Sequence, residues 1–368
     1  MNLLYSFILS VITQISILST LTHIILFLFI CSFLFVCVVL LIRLKDLRFN
    51  KKVEDFTQYW APVFFNYIGS DKDPNEFTDR IPKKNASIFL LFLKKYIHSL
   101  SGKELQSLLN IINNTWIFDY LLSDLKSRSI ERRLRAIYYF GIAKNQIIKP
   151  ILISFLTIRN LQIFFQSARS LARMNALETT ERILAGARLQ KKISQEILVS
   201  ILLEFNQEVC EYLIKRIYVE NEKFKTAIIK VFRNFNYQDA SPILRKIIDQ
   251  AKDKLLIIEC IKFAGQIESL NALDNIKTYL QHPDPDIRSE AVKSVKQIGG
   301  DTESLEISVN LYDNSWQVQI DAAEALVNLK PVGISILKLV AVSQSEPRAA
   351  SIAQMVLSEL SLESGQNV

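Results

Sequence analysis

A repeat of 31 residues constrains this chain more than any other feature of its sequence. The stretch from His282 to Gly299 reads HPDPDIRSEAVKSVKQIG, in which Ile287, Ala291, Val295 and Ile298 recur at helical spacing. Shifted forward by 31, these positions become Val318, Ala322, Leu326 and Leu329, and shifted again they become Ala349, Ala353, Leu357 and Leu360. Shifted backward they become Leu256, Cys260, Ala264 and Ile267, and an offset of 32 then reaches Phe224, Ile228, Phe232 and Phe235. Non-core positions agree as well: Asp253 with Asp284, Glu259 with Glu290, Lys262 with Lys293 and Gln266 with Gln297. A period in this range is the signature of a stacked helical array.

One unit can be read physically. Asp284 or Asp286 can cap a first helix by accepting from the backbone N–H groups left free at its start. Pro283 and Pro285 keep the previous helix from continuing. The first helix carries one apolar stripe with a small residue at its second position, and a second helix comes after it, as in Ser304–Tyr312 or Ala272–Leu280. Neither helix buries its face alone, so units must stack into a continuous core. The pattern Asp-x-Asp-Ile-Arg-x-x-Ala-Val-x-x-Val-x-x-Ile-Gly at 284–299 resembles the first helix of a HEAT repeat, and the period is similar to the short HEAT-like repeat of bilin lyases. The resemblance is strong over 253–360 and extends to about 129, where Arg133 and Ala136 stand five periods before Arg288 and Ala291. It implies a right-handed α-solenoid of helix pairs. In the family an aspartate and an arginine form a ladder between repeats; here Arg288 is flanked by Ile257 and Gln319 at the equivalent positions, so that ladder is expected to be broken.

Glycine and proline number only 9 each among 368 residues, which suits an all-α chain. Upstream of the repeat, Ile24 to Ile42 is uncharged and apolar, long enough to cross a bilayer core of about 30 Å. No basic n-region precedes it. The next basic residues, Arg43, Lys45, Arg48, Lys51 and Lys52, are expected to stay on the cytoplasmic side and so determine topology: N-terminus outside, the remainder inside. Residues 3–18 carry Leu3, Phe7, Val11 and Ile15 on one face and Ser6, Ser10, Thr13 and Gln14 on the other, and read as an amphipathic helix at the outer interface or a second crossing. Val53–Ile68 reads as a helix whose aromatics pack a cap, with a polar loop to Asn85 and helices near 86–99, 102–113 and 115–126 after it.

The expected organisation is an apolar N-terminal helix at 1–23, a transmembrane helix at 24–42 and a basic juxtamembrane segment at 43–52. A helical cap region at 53–128, a solenoid at 129–362 and a disordered tail at 363–368 complete it.

The net charge of +7 hides a gradient: residues 126–192 hold 14 basic and 3 acidic residues, whereas 283–368 hold 6 basic and 12 acidic. Arg128, Arg132, Arg133, Arg135, Arg169, Arg173, Arg182 and Arg188 lie on consecutive helices and are candidates for a basic patch toward an acidic partner segment or anionic lipid headgroups. Nucleic acid is a poor fit for a membrane-tethered chain. No glycine-rich phosphate loop, H-E-x-x-H, C-x-x-C or G-x-S-x-G occurs. The cysteines Cys31, Cys37, Cys210 and Cys260 are spaced unlike a metal site or disulfide framework. The expectation is therefore a chain with no catalytic residues, metal or cofactor and no enzymatic activity. Its expected role is a protein-binding scaffold at the bacterial inner membrane, in service to an envelope or exopolysaccharide machine with a membrane glycosyltransferase as partner. The alternatives are a bilin-lyase-like enzyme, as the resemblance implies, or a solenoid that responds to a ligand.

Overall fold

The computed structural model describes residues 2–70, 72–190 and 192–365, with side chains described between residues 26 and 362. Among the described residues the secondary structure is entirely helical, and the chain forms two compact units, Met1–Tyr120 and Leu121–Val368.

The first unit opens with α1, a single helix from Asn2 to Ile68. It runs without a break across 23/24, 42/43 and 52/53. The amphipathic face expected over residues 3–18 concerns side chains outside those described. From Leu26 to Ile42 nearly every side chain is exposed, so nothing among the described residues covers this apolar stretch. The last turns of α1 behave differently. Phe56, Phe64, Tyr67 and Ile68 are buried at helical spacing, while Tyr59 and Phe65 remain exposed. The buried rings meet Phe77 of α2 (Pro74–Thr78) and Phe89 and Phe92 of α3 (Ala86–Tyr96). Phe64 sits edge-on to Phe92 at 5.1 Å, and Tyr67 stacks on Phe77 at 5.4 Å, both favoured aromatic arrangements. Helices α4 (Gly102–Asn114) and α5 (Trp116–Leu125) come next, and the Trp116 indole N–H donates to the Thr78 carbonyl at 3.1 Å. The short α2 lies inside the segment expected to be a loop. Its local signal is Asp73-Pro74, a cap with proline in the first turn behind it.

The second unit stacks helix pairs. Its first row, here called A, comprises α6 (Ile130–Ile142), α8 (Leu161–Arg173), α10 (Gln195–Leu202), α12 (Glu222–Asn234), α14 (Lys254–Gln266), α16 (Pro285–Ile298), α18 (Trp316–Asn328) and α20 (Pro347–Gly365). Row B comprises α7 (Lys149–Phe155), α9 (Thr180–Leu189), α11 (Val209–Arg216), α13 (Ser241–Gln250), α15 (Leu270–Thr278), α17 (Ser304–Ser308) and α19 (Val332–Ala341). Each A helix packs on the next, and most B helices pack against the A helix that comes after them. The tail expected at 363–368 overlaps the end of α20, and residues 366–368 lie outside those described.

The A helices share one cap register. Ser129, Asn160, Ser194, Asn221, Asp253 and Asp284 each accept a backbone N–H of the first turn with the side chain, and Ser315 stands at the seventh cap. Of the two candidate caps, Asp284 is the one used, accepting from the Asp286 N–H at 2.9 Å. Pro285 does not stop a helix but opens α16, where a missing N–H costs nothing. Fifteen residues past the cap, Lys144, Asn175, Asn236 and Glu268 all take a left-handed conformation that ends the helix. The glycine at that register in the next repeat, Gly299, does not: its φ is −84°.

Two contacts fix how closely the A helices approach. The Ser170 hydroxyl donates to the Ile137 carbonyl of the preceding helix at 2.9 Å, and Ser294 donates to Ile261 at 3.0 Å. Both serines are fully buried, ten residues past their caps. Each faces a glycine, Gly141 or Gly265, where a Cβ would collide with the serine.

Candidate interaction surface

The outward face of row A is a run of ion pairs joining successive repeats. Lys262 on α14 pairs with Glu290 on α16 at 3.9 Å, and Lys293 on α16 pairs with Asp321 on α18 at 3.2 Å. These are one interaction repeated: a lysine nine residues past its cap meets an acid six residues past the next. Arg233, twelve residues past its own cap, reaches Glu259 at that same acid register, at 3.2 Å. The ladder thus exists with other residues than those the family resemblance implies. Arg288 instead forms a single clamp, bidentate to Asp313 at 2.6 and 2.7 Å and donating to the carbonyls of His282 and Pro283. Burial opposes the Asp313 charge, but Arg288 and the Ser315 N–H outweigh it and hold the carboxyl below its usual range. Lys254 spans the cap residue Asp284 and Asp286 at 2.7 and 2.6 Å. Burial raises the carboxyl of Glu290, although Lys262 and Lys293 pull it down.

Along this row an open depression of about 510 Å³ lies between α12, α14 and α16, lined by Arg233, Lys262, Gln266, Glu290 and Gln297. The matching pairs Glu259/Glu290, Lys262/Lys293 and Gln266/Gln297 mark the repeat in the sequence. Their role, as rungs and rim of this surface, becomes visible only when the repeats are stacked.

The structure separates the eight arginines of the sequence-based patch. Arg135, Arg169 and Arg173 stand on the outward face of row A at its first helices. Arg135 is held by Asp124, whose side chain is only 4% exposed, through bonds of 2.9 and 2.6 Å. Arg169 and Arg173 converge on one carboxylate, Glu204. Burial opposes that charge, but hydrogen bonds from both guanidiniums keep Glu204 ionised below its ordinary range. Arg173 also lies over the Tyr138 ring at 5.8 Å, and Arg169 over Phe165 at 5.3 Å. Arg128 and Arg132 are exposed near the start of α6, with no acidic partner among the described residues. Arg133 is half-buried, its Nε without a hydrogen-bond partner. Arg182 and Arg188 belong to row B. Arg188 binds Glu220 at 3.1 Å, and Arg182 rims an apolar groove between α7 and α9 lined by Pro150, Ile153, Leu156 and Leu189.

Arg43, Lys45, Arg48, Lys51 and Lys52 are all exposed on α1, directly after the uncovered apolar stretch. Cys210 and Cys260 are fully buried, and burial pushes the Cys210 thiol up to about 12 and that of Cys260 higher still. Neither is a nucleophile at neutral pH.

No family model matches the chain, and no curated protein matches it in sequence. Among solved structures it is similar to the complex of CpcE and CpcF of phycocyanin lyase from Nostoc sp. PCC7120, at 15% identity. That match covers 65% of this chain and 94% of the other, with a TM-score of 0.29. It corrects the expectation of a chain without enzymatic activity. The matched structure belongs to a lyase, so a lack of recognisable catalytic motifs does not place this protein outside the enzymes. At that TM-score no pocket or residue role carries across.

Proposed function

We propose that the protein is a membrane-tethered helical-repeat protein that holds another protein beside the inner membrane, with its repeats in the cytoplasm. The observation that carries this reading is α1. Its stretch from Leu26 to Ile42 is apolar and uncovered, which favours lipid as its surroundings, because water around so many exposed apolar side chains is costly. A cleaved signal peptide fits poorly, since the same helix continues to Ile68 and supplies Phe56, Phe64 and Tyr67 to a core. The cluster from Arg43 to Lys52 supports a cytoplasmic location for the chain beyond it. A stacked array with a long charged face supports binding along that face.

An integral partner shares the bilayer with α1, so a membrane glycosyltransferase of envelope polysaccharide assembly is the partner class put forward. The test is fractionation of native membranes, then detergent co-purification. The full chain should stay with membranes after an alkaline wash. A tag at its C-terminus should resist protease added from outside, and a stable membrane protein should co-elute. A tag cleaved from outside, or a lone chain recovered after cross-linking, overturns the reading.

A further inference from the structure

The cap register exposes a second series that ion pairing leaves unused. Thirteen residues past the cap, α12, α14, α16 and α18 carry Asn234, Gln266, Gln297 and Asn328, a carboxamide in every repeat. All four are exposed, at the C-terminal ends of adjacent A helices. Asn234 and Asn328 turn the amide nitrogen back onto a carbonyl of their own helix, Lys230 and Glu324, each at 2.7 Å. Gln266 gives its nitrogen to the Arg233 carbonyl of the preceding repeat at 2.9 Å. The nitrogens of these three rungs are thereby engaged, and their oxygens have no donor among the described residues. Gln297 has no hydrogen-bond partner among the described residues. Gln266 and Gln297 line the same depression.

We infer that this row is a docking track for an extended polypeptide segment of a partner protein, its backbone N–H groups bonded by the carboxamide oxygens of Asn234, Gln266, Gln297 and Asn328. The match is one of period and chemistry. Packed helices stand about 8–10 Å apart. An extended chain in the polyproline-II form advances about 9.3 Å every three residues and leaves its backbone N–H groups unpaired. It can therefore offer one equivalent donor to each repeat. The negative ends of the helix dipoles, gathered at these rungs, favour donors over acceptors.

Direction comes from charge. Beside the rungs, Lys262, Glu290, Lys293 and Asp321 compensate one another. Toward α8 the same register holds Arg173 in place of a carboxamide. There Arg169 and Arg173 share the single charge of Glu204, which leaves one positive charge in excess. The segment that fits is neutral and polar over the four rungs and acidic at the end lying over α8.

This inference rests on the protein-binding reading and specifies its site. A displayed library of peptides about eighteen residues long, enough to reach from α18 to α8 at three residues per repeat, tests it when panned against the full chain in detergent micelles. Enriched peptides should carry Asp or Glu toward one end. They should bind at least about tenfold more weakly to the variant Asn234→Ala/Gln266→Ala/Gln297→Ala/Asn328→Ala, whose circular dichroism and thermal midpoint should match the parent. Arg169→Gln should weaken acidic-ended peptides and spare those with the acids replaced by amides. Equal affinity for the parent and the fourfold variant overturns the inference, as does enrichment of amphipathic helical peptides. If the fourfold variant still recovers the cross-linked partner from membranes, the track is wrong and the scaffold reading stands.

Discussion

At the scale of single residues, the A row is governed by positions counted from the cap. Gly141 and Gly265 are small because a buried serine of the next helix, bonded to a carbonyl, occupies the space a methyl group would need, together with the Gln297 Oε1 at Gly265. For Gly141 the obstruction includes the Ser170 Cα itself, 2.9 Å from an added Cβ, so the neighbour cannot rotate away. Gly141→Ala should therefore cost roughly 1–3 kcal/mol, read as a lower urea midpoint at unchanged slope. Left-handed Lys144 offers the opposite test. A non-glycine residue there carries a strain of about 1–2 kcal/mol, so Lys144→Gly should raise the midpoint. Acid sensitivity has an identifiable source in Glu303. Burial works against its charge, yet the Thr302 hydroxyl, the Gly300 N–H and Lys277 together bring the carboxyl down to about 2. A carboxyl depressed on folding stabilises the folded state above its unfolded pKa of about 4.3, and this contribution fades as pH falls toward 2. Glu303→Gln should flatten the dependence of thermal midpoint on pH between about 4.5 and 2 and leave its slope near pH 7 unchanged.

At the scale of elements, helix pairing was legible where the cap spacing is regular and faint where it is not. The caps at Asp253, Asp284 and Ser315 succeed one another at 31 residues, whereas Asn160, Ser194 and Asn221 are separated by 34 and 27. The short α10 absorbs that irregularity, which blurs a fixed-offset comparison while the buried stripe persists. The ion-pair ladder was not legible in the same way. Each lysine and its acid stand 28 residues apart, and alone each resembles an ordinary solvated helix face. Gln266 and Gln297 mark the repeat in the sequence, but the row they form with Asn234 and Asn328 is hidden for the same reason, as exposed polar residues carry no periodic hydropathy signal. On α1 the basic run between Ile42 and Val53 suggested a separate segment, because it has no apolar stripe of its own. The helix persists through it, supported at its far end by aromatic packing. Amide hydrogen exchange in micelles should accordingly show slow exchange from Lys45 to Phe56 despite the exposed side chains of residues 43–52. Rapid exchange confined to 43–52 would mean a break there.

At the scale of the whole molecule, charge sorts along the second unit without producing one uniform patch. Four of the eight arginines expected to form a patch, Arg135, Arg169, Arg173 and Arg188, are already committed to acids of a neighbouring helix or repeat, whereas Arg128, Arg132 and Arg182 are exposed. A total of charges along the chain overstates what a partner would meet, because stacking brings together opposite signs far apart in sequence. The first unit has a different character. A single helix joins an uncovered apolar stretch to a packed aromatic core, with no loop to take up a twist. The number of residues between Ile42 and Phe56 is therefore an angle as well as a length: one added residue turns the aromatic face by about 100°. Variants with one alanine inserted after Lys45 should lose any docking that depends on facing an integral partner, whereas seven inserted residues return the face to within about 20°. In this stretch the protein counts in turns, and a partner held in the same bilayer would read the remainder.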